Sequence, residues 1–239
     1  MIIYGKNPIK EALKNPKNIS KIYVQKGIRD IDNIISIANK NNIKISLSDK
    51  FLLDKISSNA RHQGLVAEVV DFEYSSVEDI ISYAKDRGEK LLLLILDGIE
   101  DPHNLGSILR VAECSGVHGV IIPKHRACAV NDTVVKVSCG ASEYVKVAMV
   151  TNINDTIREL KDNFVSVFCA DMGDTPMYKQ NMKDDTAIVI GSEGFGVKAL
   201  TKKLCDGVVS IPMQGNINSL NASVACGIVV YEAVRQRNN

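Results

Sequence analysis

Three segments from Asp97 onward carry side chains suited to catalysis. The first, DGIEDPHNLGSILRVAECSG, starts at Asp97 and contains Asn104, Gly106 and Arg110. Pro102 disfavours helix at Asp101 and Asn104 is a good cap, which predicts a helix over Leu105–Cys114 with Arg110 well inside it. Gly106 near its start allows a close backbone approach. Arg110 is there a fixed cation for an anionic group, or a plain surface arginine on a capped helix. The second segment, IVIGSEGFGV, is an apolar strand followed by glycines around Ser192, Glu193 and Phe195. Turns of this kind hold planar ligands against bare backbone. It lacks the Lys-Ser/Thr of a P-loop and the acid about twenty residues on that would hold a ribose, so neither common nucleotide fingerprint applies. Glu193 is the acid it offers, unless that carboxylate merely sits at a helix N-terminus. The third, SIPMQGNINSLNASVACGIVVYE, ends a strand at Ile211–Pro212, and Asn218 or Ser219 caps a helix running to about Gln236. A helix of such small and apolar residues is a buried one, so plain core packing accounts for it equally.

Metal chemistry is not expected. The histidines at 62, 103, 118 and 125 are scattered, and the cysteines at 114, 128, 139, 169, 205 and 226 include no C-x-x-C pair. In a chain of this size they read as buried free thiols in a reducing cytosol. His103 stands beside the first segment, but a histidine in a loop is more often a bystander than a base.

The elements that must position these segments are those of an α/β protein. Leu91–Leu96 is an unbroken apolar run ending in Asp-Gly, as expected of a strand covered on both faces in a parallel sheet. Further strands are expected at Gly119–Ile122, Tyr144–Val147, Val165–Cys169, Ala187–Ile190 and Gly207–Ile211, with helical patterns between most of them. In open α/β sheets, ligands bind beyond the carboxyl ends of the strands, where the three segments lie. Upstream, helical KNPIKEALKN, apolar ISKIYV, helical IDNIISIANKNN, then IKISLS, KFLLDKIS and LVAEVV describe a small sandwich around a partly parallel sheet, closing near Val70. DFEYSSVEDI reads as a linker running into a helix that reaches about Arg87.

With 239 residues, 45% of them hydrophobic and 24% charged, the chain is too apolar to be disordered and has neither collagen nor coiled-coil character. The formal charge is +1, yet residues 1–61 hold 12 basic against 5 acidic side chains, so a local basic patch is expected where a global one is not. The first residues lack the apolar stretch of a signal peptide, and no apolar run approaches the roughly 20 residues of a membrane span. A cytoplasmic protein with no membrane association is expected.

Taken together, the three segments resemble the SpoU (TrmH) branch of the SPOUT RNA methyltransferases. NLGSILR at Asn104–Arg110 is similar to that family's first motif, IGSEG at Ile190–Gly194 to its second, and IPM…SLNAS over Ile211–Ser223 to its third. They come in the family's order and spacing, and VSCGASE at Val137–Glu143 is similar to its intervening segment. IYGKNPIKEAL at Ile3–Leu13 and RHQGL at Arg61–Leu65 resemble the ends of the ribosomal-protein-like RNA-binding domain fused to many members.

The resemblance implies a small N-terminal α/β/α RNA-binding domain over 1–70, a linker over 71–88, and over 89–239 a SPOUT α/β domain with a deep trefoil knot and a mostly parallel sheet. It implies transfer of a methyl group from S-adenosylmethionine to a ribose 2′-hydroxyl by a homodimer whose sites take residues from both subunits. Gly191, Ile211 and Leu220 match positions that contact the cofactor, and Met213 falls in the same loop. Arg110 matches the family's catalytic arginine. A guanidinium, with a pKa above about 12, is effectively never deprotonated, so its expected role is to pair with a substrate phosphate and the developing alkoxide. Glu193 is expected to orient Arg110 or the ribose, Asn104 to hold ribose or phosphate, and Ser219 and Asn221 to shape the third loop and contact RNA or the second subunit. Lys6 and Arg61, with Lys10, Lys14, Lys17, Lys21, Lys26 and Arg29, are candidates to meet RNA phosphates. The layout is most similar to members that methylate a guanosine of large-subunit ribosomal RNA, with tRNA guanosine as the alternative. A non-catalytic RNA-binding or ribosome-assembly protein is the other reading, and it expects loss of the Arg110, Glu193 or Asn104 equivalents.

Overall fold

A computed structural model describes residues 2–14, 16, 19–69, 72–173, 175–216 and 219–238. Lys17 and Asn218, singled out above, lie outside them. The chain divides into two compact units, Met1–Glu73 and Tyr74–Asn239.

In the first unit the described strands are β1 (Ile2–Tyr4), β2 (Ile19–Gln25), β3 (Lys44–Ser48) and β4 (Leu65–Val69), in sheet order β1-β4-β2-β3. β2 and β3 run parallel; β4 is antiparallel to both β1 and β2. Helices α1 (Lys6–Ala12) and α2 (Asp32–Lys40) contribute Ile9, Ile34 and Ala38 to the core on one face, against Ile22, Val24, Leu65 and Ala67. On the other face Leu53 of α3 (Lys50–Ile56) packs with Tyr23 and Val66. The composition pattern missed only β1, whose three residues are too few to show alternation.

The unit also joins the two segments whose likeness was noted. Gly5 sits at φ +95 and its N–H donates to the Leu65 carbonyl at 2.9 Å, while Lys6 N–H donates to Gln63 Oε1 at 3.1 Å. His62 is buried between them: its Nδ1 accepts from Gly64 N–H at 2.9 Å and its Nε2 meets Asp54 Oδ1 at 2.9 Å.

In the second unit, β5 (Leu92–Asp97), β6 (Gly119–Pro123), β7 (Lys146–Val150), β8 (Ser166–Ala170), β9 (Thr186–Gly191) and β10 (Gly207–Val209) form one parallel sheet, ordered β10-β8-β9-β5-β6-β7. All six residues of β5 and of β9 are buried, as their unbroken apolar character requires. The segment read as a linker contains α4 (Val77–Asp86), started by a reciprocal Ser76–Asp79 capping box and held by burial of Ile80 and Ala84 in this unit's core. α5 (Pro102–Ser115), α6 (Asp132–Val137), α7 (Ile153–Asp162), α8 (Ala199–Leu204) and α9 (Ala222–Arg237) complete it. No helix among the described residues is long and apolar enough to cross a membrane.

Two helix starts differ from expectation: α9 begins at Ala222 with Asn221 as its cap, where Asn218 or Ser219 was expected. α5 begins at Pro102, three residues before the expected start, because Asp101 is the cap, accepting from His103 N–H at 3.0 Å, and Pro102 occupies the first turn with its φ already helical. Asn104 is therefore inside the helix, its side chain released from capping. Gly106 serves α6: a Cβ there would lie 2.7 Å from Val137 and 2.9 Å from the Val134 carbonyl oxygen.

Candidate active site

Beyond the carboxyl ends of β8, β9 and β10 lies a cavity of about 610 Å³, and the second and third segments form most of its wall. The register sets Asp97, last residue of β5, beside Gly191, last of β9. From there the chain turns tightly, with Ser192 and Gly196 exchanging backbone hydrogen bonds of 3.1 and 3.0 Å. Gly191 is what allows that turn to fold back, since a Cβ there would stand 2.1 Å from the Gly196 carbonyl carbon. The returning limb is anchored at Asp97, which is 2% exposed and accepts from Lys198 Nζ at 2.5 Å and Lys198 N–H at 3.1 Å.

The three segments converge on one carboxylate oxygen. Glu193 Oε1 accepts from Asn104 Nδ2 at 2.9 Å, from Asn221 Nδ2, and from Ala222 N–H at 3.4 Å. Asn221 Nδ2 also donates to Asn104 Oδ1 at 2.9 Å, closing a triangle. Asn221 caps α9 with its other atom, Oδ1 accepting from Ser223 N–H at 3.0 Å and Val224 N–H at 3.3 Å. Glu193 thus lies at the N-terminus of a sixteen-residue helix, where the macrodipole favours its negative charge. Glu193 is a helix-terminal carboxylate that also lines the cavity, and it does not contact Arg110 of the same chain. Among the described residues no cation lies within ion-pair distance of it. Asp171, the other acid of the wall, is paired with Lys202 Nζ at 3.0 Å.

Gly191, Ile211, Met213, Ser219, Leu220 and Asn221 all line the cavity. Asn104, 7% exposed, stands behind Glu193 and does not. Arg110 is not brought to this group. It is exposed on α5, its Nη1 donating to Cys139 Sγ at 3.7 Å. Six helical positions place it about 120° around the helix from Asn104, so the two side chains do not share a face of α5. In the first unit Arg61 is exposed, whereas the Lys6 ammonium donates to the Arg29 carbonyl at 3.0 Å and holds a loop. Asp171, Met172 and Phe195 of the wall were not singled out for ligand binding in the sequence; only their place after apolar strands could have drawn attention to them.

The cavity's volume is that of a cofactor-sized site. Its apolar walls at Ile190, Ile211 and Leu220 suit a flat ring, its strand-end backbone offers hydrogen bonds, and Glu193, which meets no cation among the described residues, suits positive charge. Among the described residues no group of three or more His, Cys, Asp or Glu side chains is placed to hold a metal ion.

Residues 91–231 match the SpoU rRNA methylase family, and residues 2–75 match the RNA 2′-O ribose methyltransferase substrate-binding family. The chain belongs to the SpoU (TrmH) family of RNA 2′-O-ribose methyltransferases. Among its relatives is a protein of Staphylococcus haemolyticus named for the TrmH family of tRNA/rRNA methyltransferases, 44% identical over all of this chain and 96% of that protein. Among solved structures, the SpoU methyltransferase AviRb from Streptomyces viridochromogenes, in complex with AdoMet, superposes with a TM-score of 0.70 at 24% identity, over 100% of this chain and 90% of that one. The Aquifex aeolicus TrmH/SpoU tRNA modifying enzyme has a TM-score of 0.58 at 27% identity, over 63% of this chain and 77% of that one. The SpoU fold, with its mostly parallel sheet and its separate substrate-binding domain, is thus the one the segments above resembled.

Proposed function

We propose that the protein transfers a methyl group from S-adenosylmethionine to the ribose 2′-hydroxyl of a guanosine in large-subunit ribosomal RNA. The observation that carries this reading is the Asn104–Glu193–Asn221 triangle at the mouth of a cofactor-sized cavity. S-adenosylmethionine supplies a methyl group already activated on a sulfonium, so the protein's task concerns the acceptor hydroxyl, a weak acid and a weak nucleophile at neutral pH.

Gly191, Ile211, Met213 and Leu220 hold the cofactor between strand ends and apolar side chains. Three donors fix Glu193 through Oε1, and Oε2 is the oxygen that orients the ribose hydroxyl. Asn104 sets the carboxylate from behind. Such fixed polar groups cost no reorganisation when charge develops on the hydroxyl oxygen. Arg110 pairs with a substrate phosphate and that developing charge, and the proton leaves through phosphate or water. Because Arg110 is turned to Cys139 and away from the Asn104–Glu193–Asn221 group of its own chain, Arg110 acts in the site of a second subunit. A homodimer interface is supported by the apolar stripe that α9 leaves outward at Val224, Ile228 and Tyr231, beside Val111 of α5, which lies 3.7 Å from where a Cβ on Gly227 would stand. Ser219 and Asn221 shape the rim for RNA. The trefoil-knotted path implied by the resemblance belongs to the same reading, supported by the sheet order and the packing of α9 on α5 and β9.

In the first unit, Arg61 and the exposed lysines meet phosphates, and Lys6 shapes the loop that presents them. Ribosomal RNA is favoured over tRNA by layout: the AdoMet-bound rRNA methyltransferase from Sinorhizobium meliloti matches 98% of this chain, both units included, whereas the tRNA-modifying enzyme matches 63%. The reaction is a cytosolic one. Incubation with methyl-labelled S-adenosylmethionine and unmodified large-subunit rRNA or bulk tRNA, in parallel, tests the proposal; label in tRNA alone overturns the target and keeps the chemistry.

A further inference from the structure

Phe195 is an aromatic part of the cavity wall to which the reading above gives no role. It stands two residues beyond Glu193 at the tip of the turn and is 94% exposed. The turn is built to hold it there. Ser192 and Gly196 close its base with paired backbone hydrogen bonds, Gly194 and Gly196 take φ values of +88 and +65 that L side chains rarely adopt, and the following limb is fastened by Lys198 on buried Asp97. A phenyl ring has no polar atom to keep it in water, and leaving one uncovered forfeits the transfer energy that burial would provide. A rigid turn that projects such a ring at the mouth of a reaction site is made to cover it with substrate.

We infer that Phe195 is a positioning residue whose ring stacks on a nucleobase of the RNA when the target ribose enters the site. The inference rests on the methyltransferase reading. Two residues of chain span at most about 7 Å, so a ribose whose hydroxyl reaches Glu193 brings a base of its own or of the adjoining nucleotide within reach of the ring. A target nucleotide drawn out of its stack loses base–base contacts, and an aromatic side chain replaces them. Stacking accepts any base, so Phe195 aligns the nucleotide without choosing its identity, and its loss should cost roughly five- to a hundred-fold in use of RNA.

The chain contains no tryptophan, so Phe195→Trp introduces a single indole at the tip of the turn, excited selectively at wavelengths where the tyrosines do not absorb. The expected result is the emission of a water-exposed indole in the free protein and with S-adenosylhomocysteine, quenched when the RNA methylated by the wild type is added. Phe195→Ala should lower kcat/KM for RNA by about five- to a hundred-fold, with S-adenosylhomocysteine affinity unchanged, and Phe195→Tyr should restore it. Blue-shifted emission before RNA is added would mean that a second subunit covers the ring, quenching by S-adenosylhomocysteine alone that the cofactor does, and either overturns the inference. Wild-type kinetics in Phe195→Ala also overturn it. If the wild type methylates no RNA, the underlying reading falls and this inference with it; failure confined to the Phe195 variants strikes the inference alone.

Discussion

Asn104 and Glu193 lie 89 positions apart in the chain, yet the amide of one donates to the carboxylate of the other at 2.9 Å. The first turn of α5 and the glycine-rich turn after β9 are thereby fixed to each other, and Asn221 bonds to both. Three separate pieces of chain share one polar junction, and it lies where a cavity opens.

Removing one member should therefore affect chemistry more than cofactor affinity. Asn104→Ala leaves the Glu193 carboxylate less constrained while the cavity lining is untouched. The expected outcome is a fall in kcat of roughly a hundred-fold or more, with S-adenosylmethionine affinity by calorimetry close to wild type. A proportionate loss of cofactor binding would place Asn104 in the cofactor site instead.

The separation of Arg110 from the Asn104–Glu193 pair within one chain gives a test that uses two inactive proteins. Arg110→Ala and Glu193→Ala should each be inactive alone. Mixed and allowed to exchange subunits, they should recover about a quarter of wild-type activity, since half the dimers then hold one intact site of two. No recovery despite exchange would put Arg110 and Glu193 to work within one chain.

Much of this was legible in the sequence, and the reasons differ by element. The buried strands β5 and β9 announced themselves as unbroken apolar runs between helices, because a parallel sheet covered on both faces needs no alternation. The segment around Glu193 was recognisable from glycines that only a tight turn requires. The start of α5 was not: Asp101 and Asn104 are both good caps, and local propensity does not say which one tertiary contacts will claim. The bonding partner of Asn104, the anchoring of Lys198 on Asp97 and the exposure of Phe195 depend on which strand ends lie side by side, and strand order is not written in any local pattern.

Gly191→Ala probes the close approach under the site. Its Cβ would fall 2.3 Å from the Gly196 carbonyl oxygen and 2.4 Å from the Val197 nitrogen, backbone atoms that cannot rotate away. The turn must shift, at a cost of about 1–3 kcal/mol. Denaturant unfolding should show that loss, and cofactor affinity should fall with it.

Within the basic first unit, two residues should separate by salt dependence. Arg61 is exposed, so Arg61→Ala should weaken RNA binding at all sequences and reduce the slope of log Kd against log salt by about one contact. The Lys6 ammonium is spent on the Arg29 carbonyl, so Lys6→Met should lower the melting temperature and leave that slope nearly unchanged.

Acid stability offers a check on α9. Arg235 grips Glu232 through Nε at 2.8 Å and Nη2 at 2.9 Å, and with Gln236 it holds that carboxyl down to about 2. A depressed pKa contributes stability that is fully present above the unfolded value of about 4.3 and is lost as pH falls from there toward about 2. Glu232→Gln should be less stable than wild type at pH 7, and the difference should shrink between those two values. A deficit that is constant from pH 7 to pH 2 would contradict the ion pair.

The central claim, methylation of a ribose hydroxyl by this site, is tested most directly by the chemistry of the product. Large-subunit rRNA labelled by the protein and S-adenosylmethionine should yield, after alkaline hydrolysis, an alkali-resistant dinucleotide containing 2′-O-methylguanosine, identified by mass spectrometry and absent with Arg110→Ala. Label carried on a base, or released in ordinary mononucleotides, would contradict it.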